Sequence, residues 1–126
     1  MSKRTSRRKN RSTVVAEALA FQLDAVRAEV GLEAVVVADD QGLCVASAGD
    51  PRTCEEIAAR LSRLGNKGKF EGVLLSSAGG WQVCAKKFEA ADTTLIACAL
   101  GKEGEALELP VTRSIEGITR ILATAS

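Results

Sequence analysis

The chain contains no histidine, no tyrosine, one tryptophan and two prolines, and aromatics make up only 3% of its residues. Each scarcity closes a route. Without histidine, neither a Ser-His-Asp nor a Cys-His arrangement can be built. The usual Cys/His zinc spacings are equally out of reach, and Cys44, Cys54, Cys84 and Cys98 contain no C-x-x-C pair. No apolar run approaches the roughly 20 residues of a membrane span. No apolar segment follows the basic start, so no secretory signal is expected. The four thiols then read as reduced, core-packed small hydrophobes, and the expected location is cytoplasmic. Ala, Val, Leu and Ile must fill the core.

What is present is enough for one domain. The 126 residues are 46% hydrophobic, and a chain of that size buries a core without disulfides or metals. The net charge of +1 conceals an asymmetry. Lys3, Arg4, Arg7, Arg8, Lys9 and Arg11 form a cationic block with no acid among them. From Ser12 onward, eleven basic residues face sixteen acidic ones, so the remainder is near −5. Such blocks stay solvated as a rule, and residues 1–11 are expected to be a disordered basic arm ahead of a domain over 12–126.

Along that domain, helical and strand patterns alternate. Ser12 or Thr13 can cap a first helix carrying Val15, Leu19, Leu23, Val26 and Val30, with Gly31 at its C-terminal end. Ala34–Asp39 reads as a buried strand and Leu43–Ala48 as its returning partner. Asp50-Pro51 opens a second helix, with a capping carboxylate and then proline at the first helical position. Cys54, Ile57, Ala58, Leu61 and Leu64 line one side of it; Arg52, Glu55, Glu56, Arg60 and Arg63 line the other. Gly65 closes it. Glu71–Ser77, Trp81–Lys87 and Thr93–Leu100 read as three further strands. A last helix carries Val111, Ile115, Ile118 and Leu122. The fold class is α+β, in the order α-β-β-α-β-β-β-α: three layers around a five-stranded, mostly antiparallel sheet.

Few residues point to chemistry. Cys54, in the first turn of its helix, is the best candidate for an activated thiol, although a buried core role suits it better. Gly65–Lys69 resembles a phosphate cradle only superficially: Arg63 stands where the first P-loop glycine belongs, Phe70 follows the lysine, and the order runs helix to strand. Asp39-Asp40 beside Gly42 reads as hairpin turn chemistry rather than a metal site. The arm offers charge for nucleic acid or an anionic surface. It has no interleaved aromatic for base stacking and no apolar anchor for a bilayer. No catalytic, cofactor or metal residue is assigned, and the chain is expected not to be an enzyme.

The element order, with VVVADDQGLCVAS (Val35–Ser47), the helix after Asp50-Pro51, EGVLLSS (Glu71–Ser77) and the W-Q-V strand leading to TTLIACAL (Thr93–Leu100), resembles the roadblock/LC7 family. The match spans about residues 13–124. The resemblance implies a profilin-like fold and a homodimer in which the third strand pairs antiparallel with its copy, the second helices lying side by side across the joined sheet. Val73, Leu74, Leu75 and Ser76 would form that interface, with Ile57 and Leu61 of the adjacent helix. It further implies a non-enzymatic regulator, activator or scaffold of a small Ras-like GTPase. The partner would be met by Arg52, Glu56, Arg60 and Arg63, and none of these arginines is assigned as a transition-state finger. The alternative is a structural adaptor in a larger assembly, without effect on nucleotide turnover. The basic arm is not part of the family pattern.

Overall fold

The computed structural model describes residues 3–64, 68–76 and 79–125. Three helices and five strands follow in the expected order: α1 (Lys3–Val30), β1 (Ala34–Asp39), β2 (Cys44–Gly49), α2 (Pro51–Leu64), β3 (Lys69–Ser76), β4 (Gly79–Ala90), β5 (Thr93–Lys102) and α3 (Glu108–Ala125). The strands form one sheet in the order β2-β1-β5-β4-β3, every pairing antiparallel.

One boundary departs from the sequence reading. The arm expected to be disordered is helical from Lys3, so α1 begins well before Ser12 or Thr13. No glycine or proline interrupts it, and lysine and arginine propagate a helix nearly as well as alanine. Its far end stops as anticipated. Gly31 adopts φ +75°, and the N–H groups of Gly31 and Leu32 both return to the Arg27 carbonyl, at 2.8 and 3.0 Å, the pattern of a glycine-terminated helix.

β1 is an interior strand, between β2 and β5, and is buried on both faces, which is why its sequence does not alternate. Val35 and Val37 join Leu19, Leu23 and Val26 of α1 and Val111 and Ile118 of α3 in one core layer. Ala34, Val36 and Ala38 join Cys54, Ile57, Ala58 and Leu61 of α2 in the other. A register shift between Val37 and Ala38 bends the hairpin. Its turn is closed by Asp39, whose Oδ1 accepts the N–H groups of Gln41 and Leu43, each at 2.9 Å. That is the turn chemistry read from Asp39-Asp40.

The link from β4 to β5 is tighter than the sequence implies. Ala90 pairs with Thr93, leaving only Ala91 and Asp92 between them, at φ +52° and +60°. Two successive positive φ values make a type I′ hairpin turn. Neither residue is a glycine or asparagine and only Asp92 is a turn former, so the sequence signal was weak, and β4 runs on to Ala90 where the pattern had ended it at Lys87.

Candidate functional site

Helix α2 begins as the Asp50-Pro51 pair predicts. The Asp50 carboxylate accepts the Thr53 N–H and the Thr53 hydroxyl, both at 3.0 Å. These bonds hold its pKa below the ordinary carboxylate value. The apolar stripe of α2 is then committed inward: Cys54, Ile57, Ala58 and Leu61 are buried. This corrects the placement of Ile57 and Leu61 at a dimer interface. Both side chains are fully consumed by their own sheet and have no surface to offer a second chain. The side chain of Leu64 and the Gly65–Lys67 link lie outside the described residues.

The opposite side of α2 is what solvent meets. Arg52, Glu55, Glu56 and Arg63 are exposed and Arg60 is half-exposed. Arg60 donates to Glu56 at 2.8 Å, the i, i+4 pair that the spacing predicts. The four residues expected at a partner interface therefore lie on one accessible surface.

Among the described residues, β3 is one of the two edge strands of the sheet, β2 being the other. The Gly68 carbonyl accepts the Lys87 N–H at 2.8 Å, and this bond sets the parity of the whole strand. Gly68, Phe70, Gly72, Leu74 and Ser76 turn their backbone groups toward β4. Lys69, Glu71, Val73 and Leu75 turn theirs to the open edge. On the sheet face that carries α1 and α3, Val73 is 41% and Leu75 79% exposed. On the other face, Leu74 sits over Trp81, its cross-strand partner, and both pack only partly against the core. The side chain of Ser76 is outside the described residues.

An apolar shelf follows from how far α2 reaches. It packs on β1 and β2 and shares a core with Val83 and Ala85 of β4, while Phe70, Leu74 and Trp81 toward the β3 end of that face stay half-buried. The alternation of Trp81, Val83 and Ala85 signals one sheet face in the sequence. Phe70 falls outside the strand as read from Glu71, so its place on the shelf was hidden. Lys69 anchors the strand from below, 3.1 Å from Glu108 and 3.3 Å from Glu71; these carboxylates raise its pKa. Its ammonium is thus engaged by two acids, contrary to a phosphate-cradle role.

The thiols are tuned away from reactivity. Burial pushes Cys54 up, with Asp50 adding to the effect, the reverse of what an activated nucleophile needs. Burial likewise raises Cys44, Cys84 and Cys98. No metal-binding group of acids and cysteines occurs among the described residues, and no helix among them is long and apolar enough to cross a membrane.

Five antiparallel strands between one helix and two define a roadblock/LC7-type fold, the class that the sequence resembles. Among solved structures, MglB from Myxococcus xanthus superimposes with a TM-score of 0.62 at 10% identity, over 87% of this chain and 91% of that one. The gliding protein MglB from Thermus thermophilus gives 0.61 at 17% identity, over 87% and 92%. An MglB with a tetrameric arrangement gives 0.61 at 18%, over 89% and 93%. No protein-family model matches the chain, and no curated protein does.

Proposed function

We propose that this chain is a homodimeric, non-catalytic regulator or scaffold of a small Ras-like GTPase. The observation that carries the reading is the likeness to MglB structures over almost the full length of both chains, combined with an apolar, unpaired β3 edge. An edge of this kind, with no proline or bulge to blunt it and its charges confined to Lys69 and Glu71 near its start, favours strand pairing.

The parity of β3 selects how two copies would join. Centring the two-fold on Glu71 sets like charges together. Centring it on Gly72 sets Glu71 and Lys69 against Val73 and Leu75 of the partner subunit. Centring it on Leu74 pairs Val73 with Leu75 of the partner subunit on one face and Leu74 with Leu74 of the partner subunit on the other. Centring it on Val73 sets Glu71 against Leu75 of the partner subunit, so only the register centred on Leu74 matches apolar with apolar on both faces, and we infer it. The shelf of Phe70, Leu74 and Trp81 then adjoins its copy, and the exposed sides of both α2 helices share one surface for a GTPase.

The test has two stages. Light scattering at tens of micromolar should give twice the mass of the 13.2 kDa chain; a monomer overturns the dimer. Leu74→Cys, in a Cys44→Ser background, should then form an intersubunit disulfide, because residues facing each other without mutual backbone bonds approach to about 4.5 Å. A dimer that cross-links through Val73→Cys instead has a different register. For the partner, the dimer is titrated against small GTPases encoded near it, with Arg60→Glu/Arg63→Glu alongside. The charge reversal should weaken association and its salt dependence without unfolding the domain. A wild-type response from the double variant moves the contact off α2. Absence of any GTPase binding favours the adaptor role.

A further inference from the structure

The continuity of α1 changes what the basic segment stands next to. Val14, Ala18 and Phe21 recur at i, i+4 and i+7, a spacing that puts them on one side of the helix, away from Leu19, Leu23 and Val26 in the core. Val14 is 63% and Phe21 77% exposed. Val14, Val15 and Ala18 also line an open apolar groove with Ile121 and Thr124 of α3, Arg120 standing at its side. Directly upstream on the same uninterrupted helix come the six cations between Lys3 and Arg11, and the first acid of the chain is Glu17.

We propose that this end of α1 docks on an anionic lipid bilayer, the Lys3–Arg11 segment at the headgroups and Val14, Ala18 and Phe21 at the acyl boundary. Lasting peripheral attachment takes two signals, a polybasic stretch and an apolar one, and here they are consecutive turns of one helix. A second copy of the chain does not suit the surface. Asp24 and Glu29 are already held by Arg27 and Arg113 of the same chain, so paired α1 helices would bring Glu17 alone to answer six cations. A nucleic acid would satisfy the cations and leave the apolar turns in water. The acidic remainder of the domain, near −5, is repelled by an anionic surface, which favours attachment through the cationic end of α1. The proposal does not depend on the GTPase reading.

The full-length protein is sedimented with extruded vesicles of phosphatidylcholine, and of phosphatidylcholine with about one third phosphatidylglycerol, at roughly 0.1 M salt, where charge still acts over about 10 Å. Binding is expected to the anionic vesicles only. Arg7→Glu/Arg8→Glu should abolish it, and Phe21→Ser should weaken it about tenfold with an unchanged thermal midpoint. Phe21→Trp should blue-shift on anionic vesicles beyond the response of Trp81 in the wild type. Failure to bind anionic vesicles overturns the proposal. So does Phe21→Ser binding like the wild type together with no added shift from Phe21→Trp, which would reduce the contact to charge alone. Duplex DNA displacing the protein from vesicles at equal phosphate would assign the surface to nucleic acid instead.

Discussion

The two halves of the sheet are built to different ends. In the half built around β1 and β5, helices close both faces, and every residue from Ala34 to Ala38 and from Leu95 to Leu100 is buried. In the half that ends at β3 the cover thins: α3 reaches β4 from one side and Val83 and Ala85 are buried with the α2 stripe, but Phe70, Leu74 and Trp81 stay half-buried while Val73 and Leu75 face outward. The covered half holds the fold together. The uncovered half leaves apolar surface at a strand edge, which a solitary domain has reason to avoid and an assembling one to keep.

Substitutions should separate these roles. The largest effect on stability belongs to the covered half: Leu61→Ala leaves a cavity between α2 and the sheet and should cost about 2–5 kcal/mol in chemical denaturation. In the uncovered half, Val73→Pro should abolish the dimer by light scattering while the chain remains folded by circular dichroism, because the lost N–H points to the open edge. Leu74→Pro, whose N–H bonds to β4, should impair both. If the two variants behave alike, the parity assigned to β3 is wrong. Ala91→Gly should raise stability by about 1 kcal/mol, since glycine accepts the positive φ at which alanine is strained. The smallest effect is at the α2 cap. Asp50→Ala should lower the thermal midpoint by a few degrees. Because the folded state depresses the Asp50 pKa, its contribution is complete above the unfolded carboxylate value of about 3.9. It fades as the pH falls through the folded value, and the variant and wild type should converge in acid.

Most of the fold was legible because its signals are local. Asp50-Pro51, Gly31 and the Asp39–Gly42 turn each act within a few residues, and all three appear where their chemistry requires. The α2 stripe was legible as well, but its consequence was not. Ile57 and Leu61 repeat at helical spacing whether they face their own sheet or a second chain, and only the reach of α2 over β1 and β2 decides the matter. The α1 start was hidden because a dense cationic run has the composition of a solvated arm, while its lysines and arginines also have high helix propensity. The open edge was half visible: an apolar strand announces itself, but which of its residues turn their backbone groups outward depends on a bond between Gly68 and Lys87, nineteen residues apart. The accessible side of α2, with its Glu56–Arg60 pair, followed directly from spacing.

The pairing of β1 with β5 has a consequence for the birth of the protein. Strand β1, Ala34–Asp39, must wait for the central strand, Thr93–Lys102, before it has a neighbour on its second side. During synthesis the first hairpin and α2 emerge early and stay open on that flank. The β3–β4 hairpin follows with its own apolar edge bare. Closure of so distant a contact is slow compared with forming the hairpins, and a ribosome-bound chain stalled before residue 93 would present two unjoined sheets' worth of sticky backbone. Exposed edges of this kind are what chaperones shield in slowly closing chains.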